Sequence, residues 1–144
     1  MTDSVNSREL VLAILLAVTK DGIYSHVAIS DVLTKYQYLE KQERSFITRV
    51  SEGTLERMLE LDYIINQFSS VKVNKMKPVI RCIIRSAVYE MKYMDSVPVS
   101  ASCNEAVKLA KKKGIIKEDT NAKESNLKKA TVNKDAKEGE VGYQ

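Results

Sequence analysis

Apolar positions recur every three or four residues from about residue 7 to residue 114, the spacing of a buried helix face. No stretch shows a sustained alternation of apolar and polar positions, which a half-buried strand would require. The pattern therefore predicts an all-α domain, built as a compact bundle of about five to six helices.

The first two helices are short and separated by a turn. Asn6 or Ser7 can cap the first, and the Lys-Asp-Gly sequence at 20–22 is expected to end it. Its predicted buried face is Leu10, Val11, Ile14, Leu15 and Val18. The second helix is predicted within 24–36, with Ser30 able to act as an internal cap. Its predicted inward positions are Val27, Ile29, Val32 and Leu33.

Residues 39–68 are predicted to form one long helix or two nearly continuous ones. The expected apolar stripe is Phe46, Ile47, Val50, Leu55, Met58, Leu59, Ile64 and Ile65. Gly53 lies inside this stretch, where glycine costs about 1 kcal/mol relative to alanine. A glycine at this place favours close packing against another helix or a slight break.

Two further helices are predicted on either side of a break at Pro98. Pro78 suits a first helical turn, because the N–H that it lacks would be unpaired there anyway. Apolar positions cover more than half the circumference of the helix that it opens, so we expect that helix to be central. In the last helix, Ser102 and Glu105 have capping-box spacing, and Gly114 follows three lysines that suit the negative helix end.

The composition changes after Gly114. Residues 115–144 contain six lysines, six acidic residues and few large apolar side chains, so they cannot offset the entropy cost of ordering. We expect a domain at 6–114 and a disordered polar tail, or a truncated insertion, at 115–144. The formal net charge of +4 then belongs to the first 114 residues, an excess that permits nucleic-acid binding without requiring it.

The residue types that catalysis commonly needs are sparse. The five glycines are isolated, and His26 is the only histidine, which argues against a phosphate loop, a hydrolase site, a metal site and a bound cofactor. Cys82 and Cys103 form no Cys-x-x-Cys pair and are expected to be buried, reduced thiols of a cytoplasmic protein.

The apolar run at 10–18 is too short to span a membrane, which takes about 20 residues. The N-terminus has no signal-peptide layout.

Three arginines are candidates for contact with RNA phosphates. Arg8 falls in the first turn of the first helix, where a cation opposes the helix dipole, so it indicates either an outside partner or a solvated surface arginine. Arg81 and Arg85 are four residues apart and share one helix face. They could follow phosphates or could pair with acids of the long helix. Those acids are Glu52, Glu56 and Glu60.

A second group of candidates lies in the last two helices. Lys108, Lys111 and Lys112 form a compact basic strip, which indicates either RNA contact or a solvated face. Tyr89 and Tyr93 lie one turn apart and suit either a core or a protein interface, because tyrosine can pack its ring while its hydroxyl stays hydrated.

The residues of these helices resemble the NusB-like domain. "IRSAVYEMKYMDSVP" followed by "ASCNEAVKLAKKKG" resembles its closing part, and "RELVLAILLAV", "GTLERMLELDYII" and "MKPVIRCIIRSAVYEM" fit it in order. The domain occurs alone, as the transcription antitermination factor NusB, and at the N-terminus of ribosomal RNA cytosine-5 methyltransferases of the RsmB/Sun type. The opening run "NSRELVLAILLAVTKDGIYSH" is more similar to the methyltransferase version.

This resemblance implies a noncatalytic domain that presents small-subunit ribosomal RNA to a methyltransferase module absent from this chain. The intact parent would then be an S-adenosylmethionine-dependent enzyme, although Cys82 and Cys103 match none of its motifs. The alternative is a freestanding antitermination factor that binds boxA-like RNA together with a small-subunit ribosomal protein. Both versions continue into a last helix with a "FVNGVLR"-like opening, so we expect this chain to be cut short inside a polar insertion.

The resemblance also implies roles for single residues. Arg8 matches the basic first helix linked to RNA contact, and Lys108 and Lys111 match the "NEAVKLAK" helix. Tyr89 and Glu90 fall where the free factor meets its ribosomal-protein partner, with Tyr93 beside them. The predicted protein-interface residues are therefore Tyr89, Glu90 and Tyr93.

Overall fold

The computed structural model describes residues 6–114, which form six α-helices and one short 3-10 helix. The α-helices are α1 (Ser7–Thr19), α2 (Ser25–Lys35), α3 (Lys41–Glu56), α4 (Met58–Phe68), α5 (Pro78–Tyr93) and α6 (Val99–Lys112); the 3-10 helix is Val73–Lys75. The described residues contain no strand, so the predicted all-α bundle is confirmed. None of these helices is long and apolar enough to cross a membrane. The tail predicted at 115–144 lies outside the described residues.

Helix α5 is the central element, as the sequence predicts. It packs against α1, α3, α4 and α6, and it buries residues on most sides of its axis. Helix α1 supplies Ile14 and Leu15 to the same core, where Ile47 of α3 and Leu61 of α4 meet them. Burial of these aliphatic side chains is the main favourable term for a helical bundle of this size.

The ends of α1 follow from local chemistry. The Asn6 side-chain oxygen accepts hydrogen bonds from the backbone N–H groups of Arg8, at 2.7 Å, and Glu9, at 3.3 Å, as a helix N-cap does. At the other end, Gly22 has a φ of +76°, which glycine adopts without the strain a side chain would add. The predicted cap and the predicted end of the first helix are both confirmed.

Two predictions about helix phase are wrong. The segment at 39–68 forms two nearly continuous helices, one of its two predicted forms, and the break at Arg57 makes α4 restart with a shifted phase. As a result Leu59, predicted to be inward, is 86% exposed, while Leu61 is fully buried. In α2, Val27 is exposed and Ala28 is buried in its place.

Predictions about internal helix caps are also wrong. Ser30 is an exposed residue inside α2 and caps nothing. Helix α6 begins three residues before Ser102, with Pro98 at the N-cap position, so Ser102 and Glu105 form no capping box. The hydroxyl of Ser102 instead donates to a carboxylate on α5, which is described below.

Gly53 allows α3 and α5 to approach closely. A Cβ atom placed on Gly53 would overlap the ring of Tyr89 on α5, at separations far inside van der Waals contact. The ring occupies the space that any other side chain at residue 53 would fill. The predicted close packing at this glycine is therefore confirmed, and the helix break that was its alternative lies four residues later.

Replacement of Gly53 by alanine should destabilise the domain. We expect overpacking against Tyr89 to lower the free energy of unfolding by about 1–3 kcal/mol, which outweighs the helix propensity that alanine gains. Urea unfolding followed by circular dichroism would measure this. In the background of Tyr89→Ala the same substitution should cost much less, because the overlapping ring is gone. A Gly53→Ala variant as stable as the parent would contradict the close approach.

Candidate nucleic-acid interface

Arg8 is held inside the domain by the carboxylate of Glu90, which lies near the end of α5. Its Nη2 lies 2.6 Å from Glu90 Oε1, and its Nε lies 3.0 Å from Glu90 Oε2, a two-point ion pair. Its guanidinium carbon also lies 5.0 Å from the centre of the Phe46 ring. Only 22% of the Arg8 side chain stays exposed, so this arginine is mainly a structural residue.

Glu90 is the buried centre of this contact, with 2% of its side chain exposed. It accepts a second donor at 2.9 Å, the hydroxyl of Ser102. One carboxylate therefore joins the start of α1, the end of α5 and the first turns of α6. A buried charge is tolerated when a cation and hydrogen bonds compensate it, and both are present here.

The two arginines of α5 also have partners inside the domain. Arg85 makes two parallel bonds to Asp62 of α4, Nε to Oδ1 at 2.7 Å and Nη2 to Oδ2 at 2.8 Å. Its acidic partner is thus Asp62 and none of the glutamates considered from the sequence. Arg81 donates to the backbone oxygens of Val73, at 3.1 Å, and Met76, at 2.7 Å, and so holds the loop before α5. RNA contact by either arginine stays a prediction.

The α6 lysines are the exposed cations of the predicted set. The side chains of Lys108 and Lys112 are 72% and 63% exposed, whereas Lys111 is half-buried. Lys108 lies 3.3 Å from Glu105, and Lys112 lies 2.9 Å from Glu9 of α1. The strip therefore runs beside the first turns of α1.

Glu9 faces two of the lysines at once. Its Oε1 lies 2.9 Å from Lys112 and its Oε2 lies 3.3 Å from Lys113. The hydrogen bond from Lys112 is the largest cause that lowers the pKa of Glu9, and the hydrogen bond from Lys113 adds to it against the opposing effect of burial. One carboxylate shared by two ammonium groups leaves a positive excess on this surface.

The residues predicted to form a protein interface are partly buried. Tyr89 and Glu90 lie inside the bundle, and Tyr93 is half-buried at its edge. The Tyr93 hydroxyl donates to Glu60 Oε2 at 2.6 Å, and Lys92 Nζ lies 2.8 Å from the same oxygen. The hydrogen bond from Lys92, followed by that from Tyr93, lowers the pKa of Glu60 to about 2.

This cluster continues onto Arg57. Its guanidinium carbon lies 4.6 Å from the centre of the Tyr93 ring, a cation–π contact. The cluster was not predicted from the sequence, because its members come from α4, α5 and the break between α3 and α4. The signal that could have found it is a pair of aromatic and cationic residues at the end of α5, opposite Glu60.

The described residues contain two free cysteines and no cluster of metal-binding side chains. No group of three or more His, Cys, Asp or Glu side chains among residues 6–114 could hold a metal ion. Cys82 and Cys103 form no disulfide and are buried, as predicted. Burial raises the pKa of the Cys82 thiol, which makes it a poor nucleophile.

Comparison with known proteins places these features in a family. The model of the NusB family matches residues 5–120. The probable ribosomal RNA small subunit methyltransferase B of Synechocystis sp. is 33% identical over 111 residues, which cover 77% of this chain and 25% of that protein. The transcription antitermination protein NusB of Acetivibrio thermocellus is 33% identical over 108 residues, which cover 73% of this chain and 72% of that protein. The chain spans about a quarter of the length of the methyltransferase relatives.

A solved structure has the same fold. The crystal structure of antitermination factors NusB and NusE in complex with dsRNA contains a chain that matches with a TM-score of 0.71 and 17% sequence identity. The match covers 87% of this chain and 92% of that chain. It confirms the NusB-like fold that the sequence predicts, and both kinds of relative that the sequence resembles occur among the matches.

Glu90→Gln should destabilise the domain strongly, because it leaves the Arg8 charge without its partner. Loss of one member of a buried ion pair costs about 3–5 kcal/mol, and the partial exposure of Arg8 places the expected loss near the lower end. Denaturant unfolding measures it. The matched control is Glu105→Gln, where loss of a surface contact to Lys108 should cost less than about 1 kcal/mol. Equal free energies of unfolding for the two variants would show that the buried ion pair stabilises the domain no more than the surface contact does.

Proposed function

Because this chain belongs to the NusB family, we propose that it is a noncatalytic RNA-binding domain of the ribosomal RNA methyltransferase type. The observation that carries the proposal is the family match over residues 5–120, together with the exposed lysines of α6. In this setting the domain presents small-subunit ribosomal RNA to a catalytic module that lies on another part of the parent protein. It acts in the cytoplasm and binds no cofactor of its own.

The RNA phosphates meet the lysine strip of α6. Lys108 and Lys112 reach into solvent, and the half-buried Lys111 lies in the same turn of the helix. Lysine ammonium groups attract phosphate through charge alone, which gives affinity without reading the base sequence. This proposal therefore assigns the strip to affinity and leaves the choice of target nucleotide to other contacts.

The arginines support this surface indirectly. Arg8 fixes the start of α1 through Glu90, and Glu9, in the next position, faces Lys112. Arg81 and Arg85 hold the loop before α5 and helix α4 in place. Their proposed part in RNA binding is to position the elements that carry exposed cations.

The second candidate function is transcription antitermination. It is favoured by how much of the antitermination relatives the match covers: 72% of the Acetivibrio thermocellus protein and 79% of the Bacillus subtilis protein. In this setting the domain binds boxA-like RNA with a small-subunit ribosomal protein. Since Tyr89 and Glu90 are buried, that partner would meet Tyr93 and the charged groups around it.

RNA affinity should depend on the α6 lysines. We expect Lys108→Glu/Lys112→Glu to weaken binding of an unpaired ribosomal RNA fragment on the order of tenfold at low salt, measured by fluorescence anisotropy. The matched control is Lys35→Glu/Lys41→Glu, which changes the net charge equally on α2 and α3. An equal loss in both variants, or a loss in neither, would remove the strip from the interface. Arg8 is left intact, because its loss would act through Glu90.

The two settings predict different DNA after the codon for Gln144. An open reading frame that continues into a methyltransferase domain would support the first candidate. A stop codon at that point would favour the freestanding antitermination type. Sequencing the gene on the chromosome decides between these outcomes, and neither depends on the RNA-binding measurement.

A further inference from the structure

A groove of about 900 Å³ lies where the C-terminal end of α1, the loop before α5 and the end of α6 meet. It is lined by four lysines, Lys20, Lys75, Lys77 and Lys113, and by a single carboxylate, Asp21. We call these four lysines and the space between them the lysine groove. Between the charged groups, aliphatic side chains from all of these elements except α6 form an apolar surface, with Leu16, Val71 and Val79 among them.

Three of the four lysines have no partner inside the described domain. Lys20, Lys75 and Lys77 make no side-chain hydrogen bond or ion pair with any described residue, whereas Lys113 pairs with Glu9. Lys77 also stands at the N-cap position of α5, where a cation opposes the helix dipole. The fold therefore gathers like charges that it does not neutralise, and an anionic ligand would relieve their repulsion.

The loop that carries two of these lysines is held rigidly. Arg81 donates to the backbone oxygens of Val73 and Met76, and the Val73 N–H donates to Asn66 Oδ1 at 2.9 Å. The side chain of Met76, which lies between Lys75 and Lys77, is buried. A ligand that binds these lysines has to order little of the loop. Less conformational entropy is therefore lost on binding, which favours affinity.

We propose that the lysine groove binds an unpaired stretch of RNA, with the lysines on its phosphates and the apolar surface under its riboses and bases. The proposal rests on the RNA-binding function proposed above and adds a contact region beyond the α6 strip. A nearly uniform positive lining fits a polyanion better than a protein segment of mixed charge. The apolar surface fits exposed bases, which a duplex would keep stacked inside itself.

Lys113 connects the groove to the α6 strip. It lines the groove and shares Glu9 with Lys112, so the strip and the groove are adjoining basic surfaces that one strand can follow. The first turn of α5 adds to the same potential: Pro78 and Val79 line the groove, and no side chain caps that helix start. Peptide N–H groups at a helix start favour negative charge, although the lysines supply most of the attraction here.

The test measures how the affinity of the full chain for a labelled unpaired RNA changes with salt. Lys75→Gln/Lys77→Gln removes two exposed cations, and Lys35→Gln/Lys41→Gln removes two elsewhere as the matched control. Each phosphate contact on a single strand contributes about 0.7 to the slope of log affinity against log salt. We expect the groove variant to lower that slope by about 1.4 and the affinity about tenfold at low salt, with the control unchanged. Thermal unfolding of both variants checks that the fold is intact.

The outcomes separate this proposal from the function on which it rests. An unchanged slope for Lys75→Gln/Lys77→Gln, with loss of binding in the α6 variant, would overturn the groove and leave the proposed function standing. Absence of RNA binding by the parent chain would overturn both. A duplex RNA that binds as tightly as the unpaired one, and is weakened equally by the groove variant, would overturn the assignment to unpaired RNA.

Discussion

The buried carboxylate of Glu90 is the constraint on which the arrangement of the bundle depends. It stands on the central helix, and its charge must be compensated by Arg8 from α1 and by the hydroxyl of Ser102 from α6. A small error in the placement of either helix would leave a charge in the interior without a donor, which is far more costly than a slight loss of apolar contact. The ion pair thereby selects one register of α1 and α6 among the many that hydrophobic burial alone would accept.

The close approach of α3 and α5 also restricts how the helices can be arranged, in this case by steric exclusion. The Tyr89 ring fits only because residue 53 has no side chain, and Tyr89 directly precedes Glu90. One turn of α5 thus meets α3 through its ring and meets α1 and α6 through its carboxylate. The exposed cations of α6 and of the loop before α5 are then placed by elements whose positions are fixed from the inside.

What the sequence predicts well is what neighbouring residues decide. Asn6 as a cap, Pro78 in a first turn and the i, i+3, i+4 spacing of the α6 lysines all depend on a few consecutive positions. The errors come from a helix break and from contacts between distant residues, which the spacing of apolar positions does not reveal. The break at Arg57 shifts the phase of α4, which exposes Leu59, and the partners Arg8 and Glu90 are 82 residues apart along the chain. The lysine groove cannot be found from the sequence for the same reason, because Lys20 and Lys75 line one groove only after α1 packs on α5.

Glu9 has a consequence for how the proposed RNA-binding surface would exchange phosphates. Its carboxylate is a counter-ion that belongs to the protein itself, and it lies between Lys112 and Lys113. A phosphate that approaches either ammonium competes with this carboxylate, whereas at Lys20 or Lys77 it displaces only dissolved ions, whose release supplies an entropic gain. Two lysines of equal formal charge therefore contribute unequally to retention of a polyanion.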